Sequence, residues 1–136
     1  MTPVADTSAK STKVNLLIAT TRSRSAVPGE MFNGERARPR HSPISPCPSH
    51  RNTVRKEGEV AWPKRLPSNP ATDFATVKAD DLNIDEAKRW LSASVRKSPD
   101  HSVLVFIHGF NNRFEDSVYR FAQIVEDSGV HSAPVL

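Results

Sequence analysis

His108-Gly109-Phe110-Asn111-Asn112 is the stretch of this sequence best equipped for chemistry. It joins an apolar run, Ser102 to Ile107, to an amphipathic helical pattern that begins near Asn112. Such a junction places the loop at the carboxyl end of a buried strand, where open α/β sheets hold their ligands. Gly109 has no side chain and lets the backbone bend sharply, so that the N–H groups after it can point into a crevice. Donors aimed at developing negative charge form an oxyanion hole, and losing one typically costs about 3 kcal/mol of transition-state stabilisation.

Other chemistry-bearing residues read more plainly. Cys47-Pro-Ser-His50 is a single C-x-x-H with no second pair, so no metal site is expected. One cysteine in the whole chain excludes an internal disulfide framework. No cofactor is expected. Asp80 and Asp81 read as a solvated turn, and Trp62 and Trp90 as packing residues.

The formal charge of +4 is local in origin. Arg36 to Lys56 holds six basic residues and no acid, and the rest of the chain has 13 basic against 15 acidic residues. The segment lacks aromatics for base stacking and has no helical spacing of its charges, so nucleic acid is not an expected partner. The longest strongly apolar run, Val103 to Ile107, is far too short to span a membrane. Met1 to Lys13 is polar, without an apolar leader core, and reads as a disordered lead-in. The chain as written is therefore expected in the cytoplasm, or exported or lipid-anchored if a signal precedes Met1.

The elements that would position the loop follow from periodicity. Val14 to Thr21 and Phe74 to Ala79 read as strands, and Gly58 to Trp62 as a short extended piece. Pro28-Gly29 and Asn33-Gly34 are turn signals. The prolines at 39, 43, 46 and 48 predict an irregular, basic insert over 36–56, with neither helix nor central strand. Asn83 with Glu86, and Asn112 with Glu115, have capping-box spacing. The first opens a helix with Ile84, Ala87, Leu91 and Val95 on one face; the second opens one with Phe114, Val118, Phe121 and Val125, closed by Gly129. Ser102 to Ile107 is apolar at almost every position and suits a strand buried on both faces. Ala133 to Leu136 turns extended again, completing an α/β alternation.

The run VLVFIHGFNNRFEDSVYRFAQI resembles the oxyanion-loop region of α/β-hydrolases, in particular the esterase- and lipase-like bacterial family known as domain of unknown function 900. VNLLIATTR, PGEMFNGER, GEVAWPKRLP and DFATVKADDL match that family in the same order. The resemblance implies the amino-terminal portion of an α/β-hydrolase fold over 14–136, a mostly parallel, incomplete sheet with flanking helices. It implies serine hydrolysis of an ester-like bond, with a small-molecule ester as substrate of the complete relative. His108 and Gly109 match the oxyanion-loop pair, the backbone N–H of Phe110 is the expected oxyanion donor, and Asn111 and Asn112 are expected beside the substrate. His108 is not the expected base, which in the family lies far downstream.

The sequence departs from the family in two respects. None of its five glycines flanks a serine as a Gly-x-Ser-x-Gly elbow requires, so nucleophile, acid and base are all expected to be missing. The chain then reads as inactive by itself: a non-catalytic or pseudo-enzyme fragment, expected to self-associate through an open sheet edge. The second departure is the basic insert, where the family has an alternating strand-like stretch. Read one base out of phase, with TCN serine codons, His41 to His50 yields such an alternation ending in Ser, Ile or Val, and Pro. The insert therefore reads as a local frameshift.

Overall fold

A computed structural model describes residues 13–47 and 75–136. Its elements are β1 (Leu16–Arg24), β2 (Phe32–Cys47), β3 (Ala75–Ala79), α1 (Ile84–Lys97), β4 (Val103–Val105), α2 (Phe114–Ser128) and β5 (Ala133–Val135). Gly58 to Trp62, His50 and nearly all of the polar lead-in lie outside the described residues.

The strands form one sheet in the order β3-β2-β1-β5-β4. β1 and β4 each pair in parallel with β5, while β1–β2 and β2–β3 are antiparallel. The architecture is α/β as expected, and the sheet is mixed, with as many antiparallel as parallel pairings among the described residues. The β1–β2 hairpin turns at Gly29, whose φ of 86° is a left-handed conformation that glycine adopts without steric penalty.

β2 corrects the expectation of an irregular insert: Arg36 to Cys47 is strand, and β2 lies inside the sheet. Two of the three prolines of β2 sit at irregularities of the ladder, and Pro43 lies opposite Leu17 in its regular part. Pro39 falls in the register shift that sets Thr20 opposite Arg40 but Arg22 opposite Arg36, and Pro46 falls at the shift between Ser45 and Pro46. The bulge leaves Pro39 unpaired, so its missing N–H removes no ladder bond there, while Pro46 is matched to Thr76 beside its shift. Pro43 still accepts from the Asp80 N–H at 3.3 Å. Asn33-Gly34, read as a turn, also lies within β2, beside the second shift of the β1–β2 register.

The core lies where α2 packs Phe114, Val118, Phe121 and Ala122 against Leu16, Ile18, Phe32 and Ile44. Phe32 meets Phe114 at 4.6 Å between ring centroids, and Phe106 stacks on Phe121 at 5.1 Å. The α2 stripe read from the sequence is thus the buried face, and Gly129 ends the helix at φ 64°. The second capping box is not formed: Arg113 is the N-cap, and Glu115 instead accepts from the buried Met31 N–H at 2.8 Å. Helix α1 has its box, with Asn83 Oδ1 accepting from the Glu86 N–H and Glu86 Oε2 from the Asn83 N–H, both at 2.9 Å. Replacing Asn83 by Ala is expected to lower stability by about 1 kcal/mol. A urea midpoint equal to that of the parent chain would show that the cap contributes nothing.

β4 is the second correction. The run Ser102 to Ile107 is not buried on both faces; it is the outermost strand among the described residues, with only Val103–Val105 regular. Leu104 and Phe106 pack on the core, whereas Val105 and Ile107 are 60% and 87% exposed. The strands paired on both edges are β2, β1 and β5, and in β1 Leu16, Leu17 and Ile18 are all buried.

Candidate functional site

Because β1, β5 and β4 run parallel, their carboxyl ends meet at one end of the sheet, where antiparallel β2 begins. The loop after β4 therefore faces the end of β1 and the start of β2. An open cleft of about 590 Å³ lies there, lined by Thr20, Arg22, Arg36, His108, Phe110 and Asn112 among others. The sequence-predicted loop residues His108, Phe110, Asn111 and Asn112 all border it.

The loop bends differently from the sequence expectation. Gly109 has no positive φ, and a Cβ built on it would meet only the Asn112 side-chain nitrogen at 3.7 Å, an ordinary contact. The left-handed residue is Asn111, at φ 58°. Asparagine is among the few non-glycine residues that adopt this conformation readily. The sharp bend after β4 is thus made by Asn111, two residues later than expected.

Arg22 holds the loop in place: its Nη2 donates to the Asn112 carbonyl at 2.7 Å, across ninety residues of sequence. Arg22 also donates its backbone N–H to Thr20 Oγ1 at 3.1 Å. The bond from Arg22 Nη2 ties the Asn112 backbone to β1, and α2 takes the next residue, Arg113, as its N-cap. Sequence reasoning singles out neither Arg22 nor Arg36 as a site residue. The signal available was the ATTR that ends the first strand, which places a cation at a strand's carboxyl end.

Phe110 points fully into solvent at the cleft mouth and so plugs no pocket floor. Among the described residues, none accepts a hydrogen bond from its backbone N–H. His108 Nδ1 lies 2.8 Å from the Gly109 carbonyl oxygen, a contact that needs the proton on Nδ1. No carboxylate or hydroxyl contacts the His108 ring among the described residues, so nothing there orients it as a base. Asp81, read as solvated, pairs with Arg24 at 2.7 Å, and that guanidinium also lies 4.7 Å from the Phe32 ring centroid. Trp90 is half-buried and borders a separate depression at the other end of the sheet. Among the described residues no cluster of His, Cys, Asp or Glu could hold a metal ion, and no helix is long and apolar enough to cross a membrane.

Residues 83–136 match the model of a family described as an alpha/beta hydrolase of unknown function, DUF900. The match takes in α1, β4, the cleft loop, α2 and β5, and leaves β1 to β3 outside it. No curated protein and no solved structure matches the chain.

Proposed function

We propose that the chain supplies the oxyanion loop of a serine-hydrolase-type site, esterase- or lipase-like, that acts on an ester bond. In this reading His108, Gly109 and Phe110 form the loop, the Phe110 N–H is the oxyanion donor, and Asn111 and Asn112 border the substrate. One observation carries it: the Phe110 N–H lies beside an open cleft at the carboxyl end of a parallel strand, without an acceptor among the described residues. Such donors act best when fixed beforehand, and the Arg22 bond to Asn112 fixes this loop.

The absence of a Gly-x-Ser-x-Gly elbow favours a second reading, in which the chain binds an ester without cleaving it. We also infer that the outer edge of β4 is a self-association surface, since it closes the sheet with an exposed apolar face.

The purified chain is expected to give no hydrolysis of short acyl esters above a buffer control, because loss of a nucleophile costs about a millionfold in turnover. Turnover abolished by a serine-directed inhibitor would place a nucleophile within these residues and overturn that expectation. An ester that is not consumed can be titrated instead. Its neutral carbonyl is expected to shift the Phe110 amide resonance while leaving that of Ile124, on the far part of α2, in place. A Phe110 amide that does not move would remove the oxyanion assignment.

A further inference from the structure

The geometry points to Arg22 and Arg36 as a recognition site for an anionic oxygen group, a carboxylate or a phosphate, on the small molecule that enters the cleft. The two residues are direct partners across the β1–β2 ladder. Cross-strand partners project to the same side of a sheet, and like charges in that relation repel one another. Both arginines line the cleft, and no acidic residue lines it with them. Arg24, one pleat further along β1, shows the usual remedy, a carboxylate at 2.7 Å. The Arg22–Arg36 pair has no such partner among the described residues, so the positive charge of the cleft is left for a ligand to neutralise.

The donor count supports the same conclusion. A guanidinium offers five N–H donors in a planar fork that suits two-oxygen recognition of carboxylate or phosphate. Arg22 uses one nitrogen on the Asn112 carbonyl, which fixes its side chain without consuming the fork. Arg36 is exposed and faces the same space. A cleft of about 590 Å³ accommodates a small-molecule ligand. Its anion would sit against β1 and β2 while the rest reaches the Phe110 N–H. The substrate class, an ester carrying an anionic group, rests on the hydrolase reading above; the anion site itself does not.

The test is a titration of the full chain with inorganic phosphate and, separately, with acetate, followed by calorimetry and by the arginine Nε resonances. Saturable binding of at least one anion is expected, with the Arg22 and Arg36 resonances moving and that of Arg38 fixed. Arg38 is exposed on the same strand but lies outside the cleft. Tighter binding of phosphate would assign a phosphate-bearing substrate, and tighter binding of acetate a carboxylate. Arg36→Gln is expected to weaken binding about tenfold, with partial recovery in Arg36→Lys and no change in Arg38→Gln. Equal losses in Arg36→Gln and Arg38→Gln would reduce the effect to general surface charge and overturn the proposal. So would saturation by neither anion, or binding of a single-stranded oligonucleotide more tightly than phosphate. Because the readout is binding and not turnover, inactivity toward esters leaves this proposal standing, and failure here leaves the Phe110 assignment standing.

Discussion

Purified alone and run on a sizing column, the chain is expected to elute well ahead of a 15.0 kDa monomer, and Val105→Lys to return it to the monomer position. β4 is the last strand of the sheet, so one row of its backbone N–H and C=O groups has no strand partner among the described residues. Val103 and Val105 of this strand, with Ile107 just beyond it, show solvent an apolar face. No charged residue interrupts Ser102 to Ile107. Exposed apolar edges template pairing with another chain, and natural proteins blunt them with lysine, proline, a bulge or a very short strand. β4 is short, three residues, but carries no lysine, proline or bulge. Lysine at 105 would place a charge in the middle of the stripe, where the valine is already mostly exposed, so the fold loses little burial. A wild-type monomer peak would remove the argument, as would a Val105→Lys variant that elutes at the parent's own volume.

The legible parts of this fold are those decided within a few residues of sequence. The α2 stripe, the Gly129 stop and the Asn83–Glu86 box all depend on spacings inside one helix, and the structure has each of them. What was not legible depends on neighbours distant in sequence. An apolar run does not reveal how many faces of a strand are covered, so Ser102 to Ile107 read as buried on both faces although Val103, Val105 and Ile107 are exposed. Proline argues against a central strand only where its N–H would be needed, and two of the β2 prolines fall at register shifts that no local pattern announces. The Asn112–Glu115 spacing was correct for a box, but the Glu115 carboxylate accepts from the distant Met31 N–H instead. The site divides in the same way. His108 to Asn112 was visible as a strand-to-helix junction, whereas the Arg22–Arg36 pair exists only once the hairpin has its bulged register.

The position whose truncation should weaken the molecule most is Phe121. It is fully buried, sits at the centre of the α2 stripe, and stacks on Phe106 at 5.1 Å with nearly parallel rings. Phe106 leads directly into the cleft loop, and its N–H donates to the Val135 carbonyl at 2.8 Å. Phe121 therefore supports both the core and the start of the loop. Truncating a buried phenylalanine to alanine costs about 3–5 kcal/mol, because the lost transfer energy is compounded by the cavity left behind. A domain of this kind has only about 5–15 kcal/mol in total. Phe121→Ala is thus expected to lower the melting temperature steeply or to abolish cooperative unfolding. Ile124→Ala, on the same helix but 39% exposed, is expected to stay within about 1 kcal/mol of the parent. Both belong in the Val105→Lys background, since association would otherwise add a concentration-dependent contribution to the melting temperature. If Phe121→Ala melts with Ile124→Ala, the Phe106–Phe121 stack is not what holds α2 to the sheet. If it melts early, the Phe110 amide should also lose its response to the ester, because the loop has lost the ring beneath its first residue.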